Sequence, residues 1–208
     1  MSDKIIIGID GVSYSGKTTL CDKIEKRKNI KIISESPKFV NIEMKITNDK
    51  NDIINNSKKT LEIEKLRTNS VNNSLDNLYI YDRTIFSFLA ISYSYFYCGM
   101  IDYFNEYLAS IVEGIETGFY LVPDYLIVLD ISNMELNLRK NELDKGLPDY
   151  WTSDEFNDGY RKILSQIASL YKKNNRLLHS ESLHNQETKK FSKISIDLVI
   201  NFLKGLRK

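Results

Sequence analysis

Residues 11–18 read Gly-Val-Ser-Tyr-Ser-Gly-Lys-Thr, which matches the G-x-x-x-x-G-K-[ST] pattern in full. An apolar run, 4–10, leads directly into them, and apolar residues at helical spacing follow at Leu20, Cys21 and Ile24. Glycines in such a loop let successive backbone N–H groups turn towards phosphate oxygens at the N-terminus of a helix. The pattern therefore predicts a strand, a phosphate-binding loop and a helix in that order.

The residue types in the loop suit a nucleoside triphosphate with a divalent cation. We expect the charge of Lys17 on the β and γ phosphates and the hydroxyl of Thr18 on Mg²⁺. The loop therefore predicts a bound nucleoside triphosphate with Mg²⁺. The residues predicted to bind the nucleotide are Gly11, Ser13, Ser15, Gly16, Lys17, Thr18 and Thr19.

Length and charge exclude several other classes. The chain has 208 residues, enough for a sizeable core, and shows no break in composition that would mark a second domain. The formal net charge is +1 with acids and bases interspersed, so we predict no nucleic-acid polymer as partner. We see no charged-then-apolar leader and no clean apolar run of membrane length, so we predict a cytoplasmic protein without a membrane partner.

Short apolar runs alternate with longer helical patterns, which predicts a parallel sheet covered by helices on both faces. Strands are predicted at 4–9, 30–34, 78–81, 125–129 and 176–179. Helices are predicted at 16–28, 58–72, 84–99, 103–117, 133–143, 154–173 and 194–206. Capping boxes are expected at Ser132 with Glu135 and at Thr152 with Glu155. The Asn- and Asp-rich stretch 47–57 is predicted to be a mobile surface loop.

Ligands of open parallel sheets bind beyond the carboxyl ends of the strands, and four predicted ends carry polar groups: Asp10, Glu35, Asp82 with Arg83, and Asp130. Asp82 could hold Mg²⁺, or could only cap the next helix. Arg83 offers a fork for phosphate. Glu35 could accept a proton or hydrogen bond from an acceptor hydroxyl, or could be a solvated loop residue.

With these residues in place, the chain resembles the phosphate-loop nucleoside and nucleoside-monophosphate kinases, most closely the thymidylate kinase and deoxynucleoside kinase group. Four segments carry the resemblance in the family's order: the loop, Glu35-Ser-Pro37, Asp82-Arg83-Thr84 and the Pro-Asp-Tyr-Leu-Ile-Val-Leu-Asp run at 123–130. Segment 154–160 is similar to the helix after the family's lid. Segment 61–67 resembles the helix whose arginine faces the acceptor.

The resemblance implies one α/β phosphate-loop kinase domain over 1–208, with a five-stranded parallel sheet, helices on both faces and a small lid at about 139–153. It implies that Glu35 is the base or acceptor-orienting group and that Asp82 serves the metal with Thr18. Arg83 and Arg67 would touch the acceptor or the transferring phosphate. Arg139 would be the lid arginine, and the loop 180–188 would lie near adenine.

An aromatic cluster lies on the helix that would wall the acceptor pocket: Phe86, Phe88, Tyr93, Tyr95, Phe96 and Tyr97. A stacking platform for a flat base and ordinary core packing both suit such a run. We select Tyr93 as the predicted pocket residue. Trp151, in the predicted lid, suits hinge packing and substrate contact equally.

Departures from the thymidylate kinase pattern leave the acceptor open. That family has an aspartate where this chain has Ser13 and an arginine where it has Ser34. It also reads its base with a glutamine on the helix after Asp-Arg, whereas the glutamines here are Gln166 and Gln186. The loop itself looks more like those of uridine, cytidylate or nicotinamide riboside kinases.

We therefore predict an enzyme, a phosphotransferase that moves the γ-phosphoryl group of ATP to a nucleoside or nucleoside monophosphate. A homodimer is left open. One alternative is a kinase for another small hydroxylated acceptor, and a second is a non-catalytic ATP-binding protein, because the lid has few cations. A regulatory GTPase would need D-x-x-G and N/T-K-x-D motifs, and the sequence contains neither.

Overall fold

A computed structural model describes residues 4–26, 30–40, 48–143, 147–173 and 177–181. Its strands pair into a single parallel sheet in the order β2-β3-β1-β4-β5. The strands are β1 (Ile5–Gly11), β2 (Lys31–Ile33), β3 (Leu78–Asp82), β4 (Tyr125–Asp130) and β5 (Leu177–Glu181). Each begins within one residue of its predicted start.

Helices connect the strands and cover both faces of the sheet, as predicted. They are α1 (Lys17–Glu25), α2 (Ser36–Val40), α3 (Lys50–Asn72), α4 (Ile85–Tyr97), α5 (Phe104–Glu116), α6 (Asn133–Leu143) and α7 (Asp154–Lys173), with a short 3-10 helix at Asp149–Thr152. The predicted helix 194–206 lies outside the described residues. So does the centre of the predicted lid, residues 144–146.

The central strands are buried on both faces, which explains why they read as continuous apolar runs rather than alternating ones. On one face Ile7 and Ile9 of β1 share a core with Leu20 and Ile24 of α1. On the other face β4 packs against α7 through a second core. That core contains Val12, Tyr14, Ala90, Leu126, Val128, Ile131, Leu136, Tyr160, Leu164 and Ala168.

The predicted mobile loop at 47–57 is wrong over most of its length, because α3 begins at Lys50. The side chain of Asp49 caps this helix by accepting hydrogen bonds from the backbone N–H groups of Asn51 and Asp52. Ile53 is 3% exposed and packs with Tyr95 of α4. The Asp49 cap and the buried Ile53 therefore stabilise the first turns of α3. The polar composition of this segment gives no clear helical periodicity in the sequence.

The two predicted capping boxes have different outcomes. Ser132 accepts a hydrogen bond from the backbone N–H of Glu135, at 3.2 Å, and α6 follows as predicted. The start assigned to Thr152 is wrong, because Thr152 donates back to the carbonyl of Asp149 within the 3-10 helix. Ser153 caps α7 instead, accepting from the N–H of Phe156.

Among the described residues, no helix is both long enough and apolar enough to span a bilayer.

Candidate functional site

The phosphate-binding loop joins β1 to α1 and has the backbone that its glycines permit. A Cβ at Gly11, whose φ is +149°, would lie 1.9 Å from the carbonyl oxygen of Leu129. Gly16 has φ 92° and directly precedes the first residue of α1, so the loop ends at a helix N-terminus. Oriented N–H groups and the positive end of the helix both favour an anion at this position.

Lys17 lies inside this loop rather than in solvent. Its ammonium donates to the carbonyl of Val12 at 2.6 Å and to Oγ of Ser15 at 3.3 Å, and the residue is 5% exposed. Burial, assisted by the charge of Arg83, lowers the pKa of Lys17 to about 7. The lysine is therefore held against the loop with little access to solvent.

Thr18 and Asp82 meet at the start of α1 and the end of β3. Oγ1 of Thr18 donates to Oδ2 of Asp82 at 2.9 Å, and Asp82 is 2% exposed. Its other carboxylate oxygen, Oδ1, has no hydrogen-bond partner among the described residues. A hydroxyl beside a carboxylate with a free oxygen is a donor set that fits Mg²⁺, which prefers hard oxygen ligands.

The possibility that Asp82 only caps the next helix is excluded by the structure. Thr84 is the N-cap of α4 and accepts a hydrogen bond from the backbone N–H of Phe86. Asp82 faces the phosphate loop instead. Its predicted role in metal binding is compatible with this position and stays a prediction.

Arg83 and Glu35 form an ion pair at the ends of β3 and β2. Nε of Arg83 lies 3.3 Å from Oε2 of Glu35, and Nη1 of Arg83 donates to the carbonyl of Gly11 at 3.4 Å. Burial alone raises the pKa of Glu35, but the charges of Arg83, Lys38 and Lys17 outweigh it and leave the pKa below its ordinary value. Glu35 is thus an ionised, partly buried carboxylate beside the loop.

Asp10 organises the turn that carries Asp82 and Arg83, a role that the sequence did not indicate. Asp10 is fully buried and accepts hydrogen bonds from both N and Oγ1 of Thr84, at 2.8 and 2.6 Å, and from Oγ of Ser87. Ser87 in turn lies 2.8 Å from the hydroxyl of Tyr160 on α7. The position of Asp10 at a strand end was visible in the sequence, but its partners come from 74 and 77 residues away.

Arg67 does not occupy the position predicted for it. It is completely buried and pairs with Glu64 at 2.6 Å on the same helix, and its Nη2 faces backbone carbonyls at the ends of β2 and β3. The guanidinium also lies over the ring of Tyr81, 4.5 Å from its centroid. These contacts correct the expectation that Arg67 touches an acceptor phosphate, because the side chain faces the interior of the protein.

Arg139, the predicted lid arginine, reaches the phosphate loop from α6. Its Nη1 donates to the carbonyl of Tyr14 at 2.9 Å, and Nε pairs with Glu135 one turn earlier. Tyr14 has φ 60°, which is uncommon for a residue with a side chain. The structure thus brings Arg139 next to the loop, where a cation could also meet a transferring phosphate.

Tyr93 lies in a helix interface in the structure. Its ring contacts Phe104 of α5 edge-on, with centroids 5.0 Å apart, and Nζ of Lys162 on α7 lies 5.9 Å from its centroid. Trp151 donates from Nε1 to the hydroxyl of Tyr95 and stacks on Phe156. Both environments suit packing, and the predicted pocket role of Tyr93 stays a prediction.

No model of a known protein family matches the chain, and no curated protein does either. Solved structures do match. A deoxyadenosine kinase from M. mycoides with bound dATP is 19% identical with a TM-score of 0.69, over 96% of this chain and 100% of that one. The same enzyme with the products dCMP and a flexible dCDP is 18% identical with a TM-score of 0.67, over 97% and 100%.

At this level of identity the similarity establishes the fold. The chain has the phosphate-loop fold of the deoxynucleoside kinases over nearly its whole length. The resemblance found in the sequence is confirmed to that extent.

Proposed function

We propose that the chain is an ATP-dependent phosphotransferase that moves the γ-phosphoryl group to the hydroxyl of a nucleoside. The observation that carries the proposal is the Thr18–Asp82 hydrogen bond beside Lys17, with the Arg83–Glu35 pair across the same loop. These neighbouring residues would supply oxygen ligands for Mg²⁺, cations for phosphate and a carboxylate for the acceptor.

Phosphoryl transfer needs positioning and charge more than covalent chemistry. Thr18 and Asp82 would hold Mg²⁺, which when bound neutralises the phosphates of ATP. The backbone from Gly11 to Thr19, with the predicted side chains of Ser13 and Ser15, would cradle the phosphates. Lys17, Arg83 and Arg139, which all donate hydrogen bonds to carbonyls of the loop, would stabilise charge on the transferring group.

Glu35 is the residue suited to the acceptor. The pKa of its carboxyl lies below its ordinary value, so Glu35 is ionised at neutral pH and can accept a hydrogen bond that orients an acceptor hydroxyl. Its pairing with Arg83 orients it at the strand ends, where ligands of parallel sheets bind.

The interior position of Arg67 favours a nucleoside over a monophosphate. A thymidylate kinase-like activity needs cations for the acceptor phosphate, and Arg67 was the residue predicted to provide one besides Arg83. Because Arg67 contacts backbone carbonyls instead, the acceptor side keeps fewer cations than the thymidylate kinase pattern implies. The structural neighbours are deoxyadenosine kinases that bind deoxynucleotides of adenine and cytosine, so deoxynucleosides are the first acceptors to test.

The test is a coupled ATP-consumption assay with Mg²⁺ over the deoxynucleosides, the ribonucleosides and their monophosphates, with an acceptor-free reaction as control. We expect acceptor-dependent turnover with at least one nucleoside that exceeds turnover with its monophosphate. Binding of ATP without acceptor-dependent consumption across the whole set would support a non-catalytic ATP-binding protein instead.

A further inference from the structure

Arg67 lies under the point where β2 and β3 end. Its Nη2 is within 3.4, 3.2 and 2.9 Å of the carbonyl oxygens of Ile33, Asp82 and Arg83, respectively. The first is on the last residue of β2, the second is on the last residue of β3, and the third follows directly. One guanidinium group therefore joins the ends of two neighbouring strands.

The charge of Arg67 is balanced inside the protein. Nη1 donates to Oε2 of Glu64 at 2.6 Å, and both side chains are fully buried. The ring of Tyr81 lies against the guanidinium plane. A planar group with several fixed donors can serve a carboxylate and several carbonyls at once, which an ammonium cannot do with the same geometry.

The backbone that Arg67 contacts is strained. Arg83 has φ 63°, in the left-handed region that a residue with a side chain seldom adopts. Its N–H donates to the carbonyl of Ile9 at 3.0 Å, and its carbonyl accepts from Arg67 at 2.9 Å. Such a conformation persists where neighbouring groups hold the backbone in place. Here the contacts are the hydrogen bond of the Arg83 N–H to Ile9 and that of the Arg83 carbonyl to Arg67.

The residues proposed to perform the chemistry lie on this backbone. Glu35 is two positions after Ile33, and Asp82 and Arg83 contribute carbonyls themselves. We propose that Arg67, with Glu64 as its counter-ion, is a positioning residue that holds Glu35, Asp82 and Arg83 at their distances from the phosphate loop. This inference deepens the proposed function and rests on it for its kinetic consequences.

The main test compares Arg67→Lys with Lys4→Met. Lysine keeps the charge next to Glu64 but loses the fork that reaches several carbonyls. Lys4 is a matched control, because its ammonium also donates to three backbone carbonyls, those of Val71, Asn72 and Ser74, at the opposite end of the sheet. Each variant is assayed for turnover, acceptor KM, melting temperature and amide hydrogen exchange.

For Arg67→Lys we expect kcat to fall at least tenfold while the acceptor KM changes less than threefold. We also expect faster amide exchange in peptides covering 31–35 and 80–84. Lys4→Met should lower the melting temperature and leave kcat unchanged. Unchanged kcat and exchange in Arg67→Lys would overturn the proposal. So would a rise in KM confined to monophosphate acceptors, because that result indicates direct contact with an acceptor phosphate.

Two additional experiments cover the cases in which Arg67→Lys does not fold or the parent protein shows no turnover. If Arg67→Lys does not fold, the double variant Glu64→Gln with Arg67→Gln leaves no unpaired buried charge and should give the same kinetic and exchange changes. Failure of both to fold, with Lys4→Met folded, would make Arg67 a folding residue and overturn the positioning role. If the parent protein phosphorylates no acceptor, the proposed function fails, and the exchange measurement alone decides whether Arg67 fixes the strand ends.

Discussion

Oγ1 of Thr18 donates a hydrogen bond to Oδ2 of Asp82 at 2.9 Å, which joins the helix after the phosphate loop to the end of the neighbouring strand. The two residues are 64 positions apart in the sequence. Parallel pairing of β1 with β3 brings them together, since Ile9 is in register with Asp82. The candidate metal site is therefore a direct consequence of the sheet topology.

Asp82→Asn should abolish most activity and change stability little. The amide keeps the shape and can still accept from Thr18, but it removes the charge that serves Mg²⁺, so we expect turnover to fall on the order of a hundredfold. Turnover and the free energy of unfolding are measured on the same preparation. Thr84→Val is the contrasting variant: it removes both the helix cap and the hydrogen bond that Oγ1 of Thr84 donates to Asp10, so it should cost about 2–4 kcal/mol of stability. Full activity in Asp82→Asn with lowered stability would contradict the metal role.

Lys17→Ala should lower turnover by on the order of a hundredfold or more and leave the fold intact, because it removes the cation closest to the loop. The melting temperature without nucleotide checks the fold, and calorimetric titration with ATP and Mg²⁺ checks binding. A turnover within threefold of the parent value would remove Lys17 from the mechanism.

Glu35→Gln should separate the two acceptor types. A nucleoside hydroxyl is almost fully protonated at neutral pH and needs a base, so we expect turnover to fall on the order of a hundredfold with a small change in acceptor KM. A monophosphate brings its own anionic oxygen and should be affected less than about tenfold. The kinetics of one nucleoside and its monophosphate are compared in the parent and the variant. Equal insensitivity of both would mean that Glu35 does not face the acceptor.

Tyr160 should contribute to alkaline unfolding. Burial, with the nearby charge of Asp10 adding to it and that of Arg83 opposing it, raises the pKa of Tyr160 from 10.0 to about 12. A phenol whose pKa is raised in the folded state stabilises that state fully below the unfolded pKa, and this contribution is lost as the pH rises from about 10 to 12. At about 1.4 kcal/mol per unit, the loss is roughly 2–3 kcal/mol.

The measurement is the free energy of unfolding of the parent and of Tyr160→Phe between pH 8 and about 12. We expect the parent to lose more stability than the variant above pH 10, by an amount that approaches that figure. Parallel curves would show that Tyr160 ionises equally in the folded and unfolded states.

Features encoded locally were predictable from the sequence. The loop pattern indicated where Lys17 and Thr18 lie, and the apolar runs indicated the strands, because burial on both faces leaves a continuous apolar signature. The start of α3 was missed, because one Asp49 cap and the buried Ile53 determine it within a polar segment. Helix periodicity alone could not reveal these tertiary contacts.

Arg67 shows why the site was only partly predictable. An arginine on a helix near the acceptor suits a phosphate contact and a backbone contact equally well, and the choice depends on which face of α3 packs against the sheet. That face is set by contacts of Arg67 with Glu64, Tyr81 and the strand ends. Tyr81 and the strand ends are distant in the sequence, and no sequence pattern marks Glu64 as the buried partner. The network of Asp10 is similar: the sequence placed its carboxylate at a strand end but could not supply Thr84 and Ser87 as partners.

The central claim is transfer of the γ-phosphoryl group to an acceptor hydroxyl, and phosphorus NMR observes that product directly. The purified chain is incubated with ATP, Mg²⁺ and a deoxynucleoside that gives turnover, beside Lys17→Ala under the same conditions. We predict a new monoester resonance that grows in step with the β-phosphate signal of ADP and is absent with Lys17→Ala. Growth of inorganic phosphate and ADP with no ester signal would contradict this claim, because the chain would then hydrolyse ATP without transferring its phosphate.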